Sequence, residues 1–255
     1  MPARSSSLTP PLESATDQRC VDCSSPGLIR EWARRTWRSC CCGNCAKPGI
    51  GRGPTNLSVP GPNFPSTAPR WDDLERLASA LARPCRREQI GPQRFLAPLA
   101  PPLAARQESR CVDWNQLDNG YTAWESDCDS LIVEGAGGWL CPLTEHHTFA
   151  DWVVHKQLPI LIVARRGLGT INHTLLTIAA IRQSRLPIVG VILNRSSVAD
   201  DDVSVSDNAR EIEARSGIPV LGEVLWQASE LRHGSRVVRI NWHLLMSDAA
   251  GNSVE

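Results

Sequence analysis

The stretch of this chain best suited to chemistry is Val133-Glu134-Gly135-Ala136-Gly137-Gly138-Trp139. An acid closes a short apolar run, and a glycine-rich turn follows it. At the carboxyl edge of a sheet, such a carboxylate can bind Mg²⁺ directly or through water. The glycines let backbone N–H groups come close to an anion. The same residues also suit a tight turn carrying a solvated glutamate. A second candidate is Gly167-Leu168-Gly169-Thr170-Ile171-Asn172-His173, which leaves a strand and opens a helix. The N–H groups of a helix start and its dipole make a carboxylate or phosphate site; an ordinary turn capped by Asn172 is the alternative. Asn194 closes the run Gly190-Val191-Ile192-Leu193. Its amide offers one donor and one acceptor to a purine edge, though asparagine is also a common turn residue.

These residues need elements to carry them. Leu74, Leu77 and Leu81 mark a helix that runs to about Arg83. Pro98, Pro101 and Pro102 predict an extended, irregular segment, with a helical turn over residues 104–108. From Ser130 onward, apolar runs alternate with helical stripes. Strands are expected at 130–134, 158–164, 187–194 and 218–224. Helices are expected at 148–157, around Ile171, Leu175 and Ile178, and around Val205, Ala209 and Ile212, where Gly217 supplies a stop. Apolar strands alternating with helices predict a parallel sheet covered on both faces. Such sheets bind ligands beyond the carboxyl ends of their strands.

The 255 residues suit one α/β domain, or one domain plus an appendage, and the 42% hydrophobic content supplies a core. A formal net charge of +0 gives no electrostatic case for nucleic acid or an anionic membrane. The apolar run 158–164 is too short to span a bilayer, and the polar first twenty residues do not resemble a signal peptide; a cytoplasmic chain is expected. Residues 1–70 differ in texture: Pro, Ser, Arg, Gly and Cys dominate, with six of the ten cysteines in the first 45 residues. Apart from a short helix over residues 28–38, this part reads as irregular, and residues 49–69 as loop or disorder. The domain boundaries follow: 1–70 an irregular segment, 71–247 the α/β domain, 248–255 a tail.

The stretch VEGAGGWLCPL from Val133 resembles the signature of the dethiobiotin synthetases. So do Phe149-Ala150-Asp151-Trp152 followed by Gln157-Leu158-Pro159, Leu168-Gly169-Thr170-Ile171-Asn172-His173, Val191-Ile192-Leu193-Asn194 and Leu221-Gly222-Glu223. They stand in that family's order and spacing, specifically from Ser130 to Glu223 and more thinly outward to Trp71 and Leu245. The resemblance implies a homodimer with a P-loop NTPase-like parallel sheet. It implies an enzyme that joins CO₂ to 7,8-diaminononanoate using ATP and Mg²⁺. Carried across, Glu134 corresponds to a Mg²⁺ ligand within the nucleotide site, and Gly135, Ala136, Gly137 and Gly138 to the turn that lines substrate and phosphate. Gly169, Thr170, Ile171 and Asn172 correspond to the segment holding the substrate carboxylate. Asn194 corresponds to the adenine reader, and Gly222, Glu223, Val224 and Leu225 to an adenine-contacting loop that has proline in place of Leu225. Asp73, favoured over Asp72, resembles a second acidic Mg²⁺ ligand; helix N-terminal acids favoured by the dipole are the competing reading. Lys47-Pro48 could match the family's carbamate-serving lysine, although its surroundings do not.

The family opens with a strand and a G-x-x-x-x-G-K-[ST] loop. The only lysines here are Lys47, between Ala46 and Pro48, and Lys156, between His155 and Gln157, and neither fits. The N-terminal P-loop unit is therefore expected to be missing or replaced. An out-of-frame reading of GC-rich DNA is one explanation of residues 1–70. The other is a replacement domain, in which Cys20, Cys23, Cys42 and Cys45 have four-thiolate zinc spacing. Besides the ligase, two other functions stand: an inactive relative that binds substrate without phosphoryl transfer, and a zinc-carrying regulatory protein.

Overall fold

The computed structural model describes residues 18–22, 53–56, 71–81, 84–125, 130–195, 205–228 and 230–241. Strands β1 (Gln18–Asp22), β2 (Gly53–Asn56), β3 (Ser130–Glu134), β4 (Ile160–Arg165), β5 (Ile188–Asn194), β6 (Val220–Val224), β7 (Leu231–His233) and β8 (Arg236–Val238) form one sheet. Its order is β2-β3-β1-β4-β5-β6-β7-β8. The strands from β2 to β6 pair in parallel, and β7 and β8 add an antiparallel hairpin. The helices are α1 (Asp72–Ala80), α2 (Arg87–Ile90), α3 (Pro101–Gln107), α4 (Trp114–Glu125), α5 (Phe149–Lys156), α6 (Thr170–Gln183) and α7 (Val205–Ser216). This is the P-loop NTPase-like architecture: a parallel sheet flanked by helices.

The apolar strands place alternate side chains in two clusters. Ile160, Ile162, Val191 and Leu193 join the larger one, together with Trp124, Trp152, Phe149, Ile178, Ile181 and Ile212 from the helices. Leu161, Val163, Val189, Ile192 and Val224 form the smaller one with Leu231. Fully burying each such side chain contributes about 1.5–3 kcal/mol. Among the described residues no helix is long and apolar enough to cross a membrane.

Three expectations change. First, residues 1–70 are not without strands: β1 lies between β3 and β4, and β2 pairs with β3. Both have poor strand composition, with Gln, Arg and Asp in one and Gly, Pro and Asn in the other. Backbone pairing to the apolar β3 decides them. The segment expected at 28–38, Lys47, Cys23, Cys42 and Cys45 lie outside the described residues. Second, Pro101 and Pro102 open α3, at positions where the missing N–H costs nothing. Third, Gly169, not Asn172, caps α6, with φ at 89°, and Asn172 sits inside the first turn. Helix α4 adds to the expected helices; its Leu117, Tyr121 and Trp124 show helical spacing and are buried. Gly120 stands within that helix where Pro92 lies against it: a Cβ there would be 2.8 Å from the proline ring.

Candidate functional site

Six parallel strands bring their carboxyl ends to one edge of the sheet. Register places Glu134 beside Asp22 on one side and Asn56 on the other. Further along the edge, Arg165 stands beside Asn194, and Asn194 beside Val224. The β4–α6 turn carries Gly169 past the same edge. Glu134, Gly169 and Asn194, distant in sequence, thus share one side of the molecule.

The glycine turn after β3 is shaped by the residues that follow it. Phe149, buried at the start of α5, lies so close to Gly135 that a Cβ there would be 2.7 Å from the ring. Gly137 has φ at 95°, and a Cβ on it would meet the Cys141 sulfur at 2.6 Å. Gly138 faces open space. Its carbonyl accepts from the Cys141 N–H at 2.9 Å, while Ala150 N donates to Trp139 O and Phe149 N to Cys141 O. Among the described residues, the amides of Ala136, Gly137 and Gly138 donate to no protein acceptor. Thr148 and Asp151 close a capping box that holds the start of α5. The Thr148 backbone N–H holds the Asp151 carboxyl below the ordinary aspartate range, with its hydroxyl adding to the effect. Burial pushes the Cys141 thiol up.

At the start of α6 the four carried-over residues divide. Gly169 and Asn172 are exposed. Thr170 is buried, with its hydroxyl 3.4 Å from that of Thr174, and its amide donates to Gly167 O at 3.2 Å. Ile171 packs against the core. The helix start and the Asn172 side chain are therefore what this segment presents to an anion.

Asn194 is only 2% exposed. Its carbonyl accepts the Arg166 N–H at 2.9 Å, and the next residue, Arg195, donates its N–H to Val224 O at 2.8 Å. Gly222, Glu223 and Val224 lie within β6 rather than in a loop, with Leu225 following. Val224 is buried in the smaller core cluster. Gly222 admits β7: a Cβ would stand 2.6 Å from Arg232 O. The Glu223 carboxylate accepts from Arg166 Nε at 2.8 Å. Arg166 carried no sequence signal, since its neighbour Arg165 looks equivalent; only the fold shows which one turns inward.

Asp73 lies in the first turn of α1. Glu134 is half-buried. Among the described residues no group of three or more His, Cys, Asp and Glu side chains gathers as a metal-ligand set. Mg²⁺ is usually held by one or two carboxylates together with waters and phosphate oxygens, so a carboxylate beside an open glycine turn fits such an ion.

The description of the family model matching residues 66–230 is an AAA domain. The chain is 43% identical over 155 residues to the ATP-dependent dethiobiotin synthetase of Anaeromyxobacter dehalogenans strain 2CP-C, a match covering 61% of this chain and 69% of that one. It is 36% identical to the Bacillus cereus strain B4264 enzyme of the same name, over 69% of this chain and 72% of the other. A third relative, from Anaeromyxobacter sp. strain Fw109-5, is 43% identical, and the match spans 65% of its length. Among solved structures, a ParA family ATPase from Chlorobium tepidum TLS is similar at 16% identity and TM-score 0.48, over 82% of this chain and 84% of that one.

Proposed function

The chain belongs to the dethiobiotin synthetase family, and from that premise we propose that it is an ATP- and Mg²⁺-dependent cyclo-ligase that makes dethiobiotin. The observation that supports this reading best is the meeting of Glu134, the glycine turn, the α6 N-terminus and Asn194 at one sheet edge. In this reading one amine of 7,8-diaminononanoate adds to CO₂, losing a proton to become a carbamate. A carbamate oxygen attacks the γ-phosphorus of ATP and expels ADP. The second amine then attacks the carbonyl carbon, expels phosphate and closes the ureido ring. The demand on the protein is positioning and charge neutralisation.

Each group takes a part in this scheme. The amides of residues 136–138 offer donors to phosphate oxygens. The start of α6 holds the substrate carboxylate, which keeps the diamine pointed toward the glycine turn. Asn194 reads the adenine edge. Glu134, with Asp73 as its partner, would hold Mg²⁺, which when bound neutralises phosphate charge. The acting unit is a homodimer, and the setting the cytoplasm. Lys47 takes the part of the carbamate-serving lysine.

The absence of a G-K-[ST] sequence beside either lysine favours a second reading: a relative that binds these ligands without transferring phosphoryl groups. Purified chain, Mg-ATP, bicarbonate and the diamine decide between the two. Dethiobiotin and phosphate formed in equal amounts support the ligase. Saturable binding of diamine and nucleotide with no phosphate release supports the second reading. Binding of neither ligand removes both.

A further inference from the structure

A pair of charges crosses the end of β5. Arg166 follows β4 and Glu223 lies in β6, so their 2.8 Å ion pair ties the two neighbours of β5 to each other. The side chains are 14% and 23% exposed, which shields the pair from solvent and salt. Charge-assisted bonds of this kind are roughly twice as strong as neutral ones. The backbone repeats the same grip: the Arg166 N–H donates to Asn194 O, and the Arg195 N–H to Val224 O. Asn208 of α7 completes it by donating its amide to Arg166 O at 2.9 Å.

The grip matters because β5 is out of step with both neighbours lower down. Its register against β4 shifts at Ile160/Leu161, and against β6 at Val191/Ile192. Such bulges re-aim the residues beyond them. Above both shifts stands Asn194, with Arg166 fastened over it. We infer that Arg166 is a positioning residue for nucleobase recognition: paired with Glu223, it fixes the backbone at Asn194 and so the direction of that residue's amide. The inference rests on the reading of Asn194 as the adenine reader. It also gives Glu223 a different part, since its carboxylate serves Arg166 rather than the base.

The test is nucleotide binding by the full-length chain, followed by calorimetry with Mg-ATP and Mg-GTP. Arg166→Met should weaken ATP binding about tenfold, the size of one lost coupling, and bring the ATP-to-GTP ratio toward one. Arg166→Lys should keep part of the preference. Exchanging the charges, with Arg166→Glu and Glu223→Arg together, should recover more of it than either change alone. Affinity for the diamine should stay within twofold throughout, which a general loss of folding would not allow. If Arg166→Met lowers the melting temperature yet leaves the ATP-to-GTP ratio intact while Asn194→Ala abolishes it, Arg166 is a stability residue and the inference falls. If the unmodified chain binds neither nucleotide, the inference and the nucleotide-dependent reading fall together.

Discussion

Gly135 and Gly138 belong to the same turn but have opposite tolerance for a methyl group. Gly135→Ala drives a Cβ to 2.7 Å from the Phe149 ring, which is buried and cannot retreat. Overpacking of this kind costs about 1–3 kcal/mol, so thermal unfolding should fall by several degrees, and Phe149→Leu should return part of the loss. Gly138→Ala meets nothing within 4 Å. It should leave unfolding unchanged while weakening nucleotide or substrate binding, because its methyl would occupy the space open to a ligand. An equal loss of stability in both variants would contradict this division. The sulfur beside Gly137 behaves in a related way. Burial raises the Cys141 thiol pKa and limits access, whereas Cys111 is exposed. Thiolate is the reactive form. Peptide mass spectrometry during alkylation at pH 8 should therefore find Cys111 modified well before Cys141, and the reverse order would be inconsistent with the fold.

At the scale of elements, α5 holds the glycine turn in place, and two ends hold α5. Its N-terminus carries the Thr148–Asp151 capping box; its C-terminus is bound to α4. There Trp152 Nε1 donates to Asp118 Oδ1 at 2.9 Å, and Lys156 Nζ lies 3.1 Å from Oδ2. Thr148→Ala should cost about 1 kcal/mol, the usual loss of an N-cap. The pH dependence has a definite sign. The folded Asp151 pKa lies below its unfolded value near 3.9. The unfolded chain then binds the proton more tightly, so this contribution is fully present above about pH 4 and is lost as pH falls through the folded value. The difference in melting temperature between the unmodified chain and Asp151→Asn should shrink on going from pH 5 to pH 2.5. A difference constant over that range would mean that the carboxylate is not what the cap uses.

For the whole molecule, β1 occupies the middle of the sheet, the place from which a phosphate loop would leave in a P-loop NTPase-like fold. No G-x-x-x-x-G-K-[ST] sequence follows Asp22 anywhere in the chain. Without preorganised donors on the developing charge, rates fall typically by about 10²–10³. The chain should therefore make dethiobiotin far more slowly than a typical enzyme. Placing a G-x-x-x-x-G-K-T loop directly after β1 should raise turnover, and Glu134→Ala should then remove most of the gain. Turnover of roughly 1 s⁻¹ or faster in the unmodified chain would show that other residues do the loop's work.

Local pattern was enough for part of this protein. The strands β3 to β6 and the helices between them were legible because their apolar residues repeat with the period of the element that carries them. The glycine turn, the α6 start and Asn194 were legible because each stands at the end of such a strand. Four features depended on contacts between distant segments. β1 and β2 exist through pairing with β3, against their own composition. Asn172 is not a cap because Gly169 takes the left-handed turn first. Thr170 and Ile171 face the interior, which no spacing rule for a helix start can say. Arg166 meets Glu223 across β5 only when two register shifts bring the strand ends level. Sequence alone determined which segments are strands and helices where periodicity is strong; tertiary structure decided register, facing and pairing, because those depend on the neighbour a residue meets rather than on the residue itself.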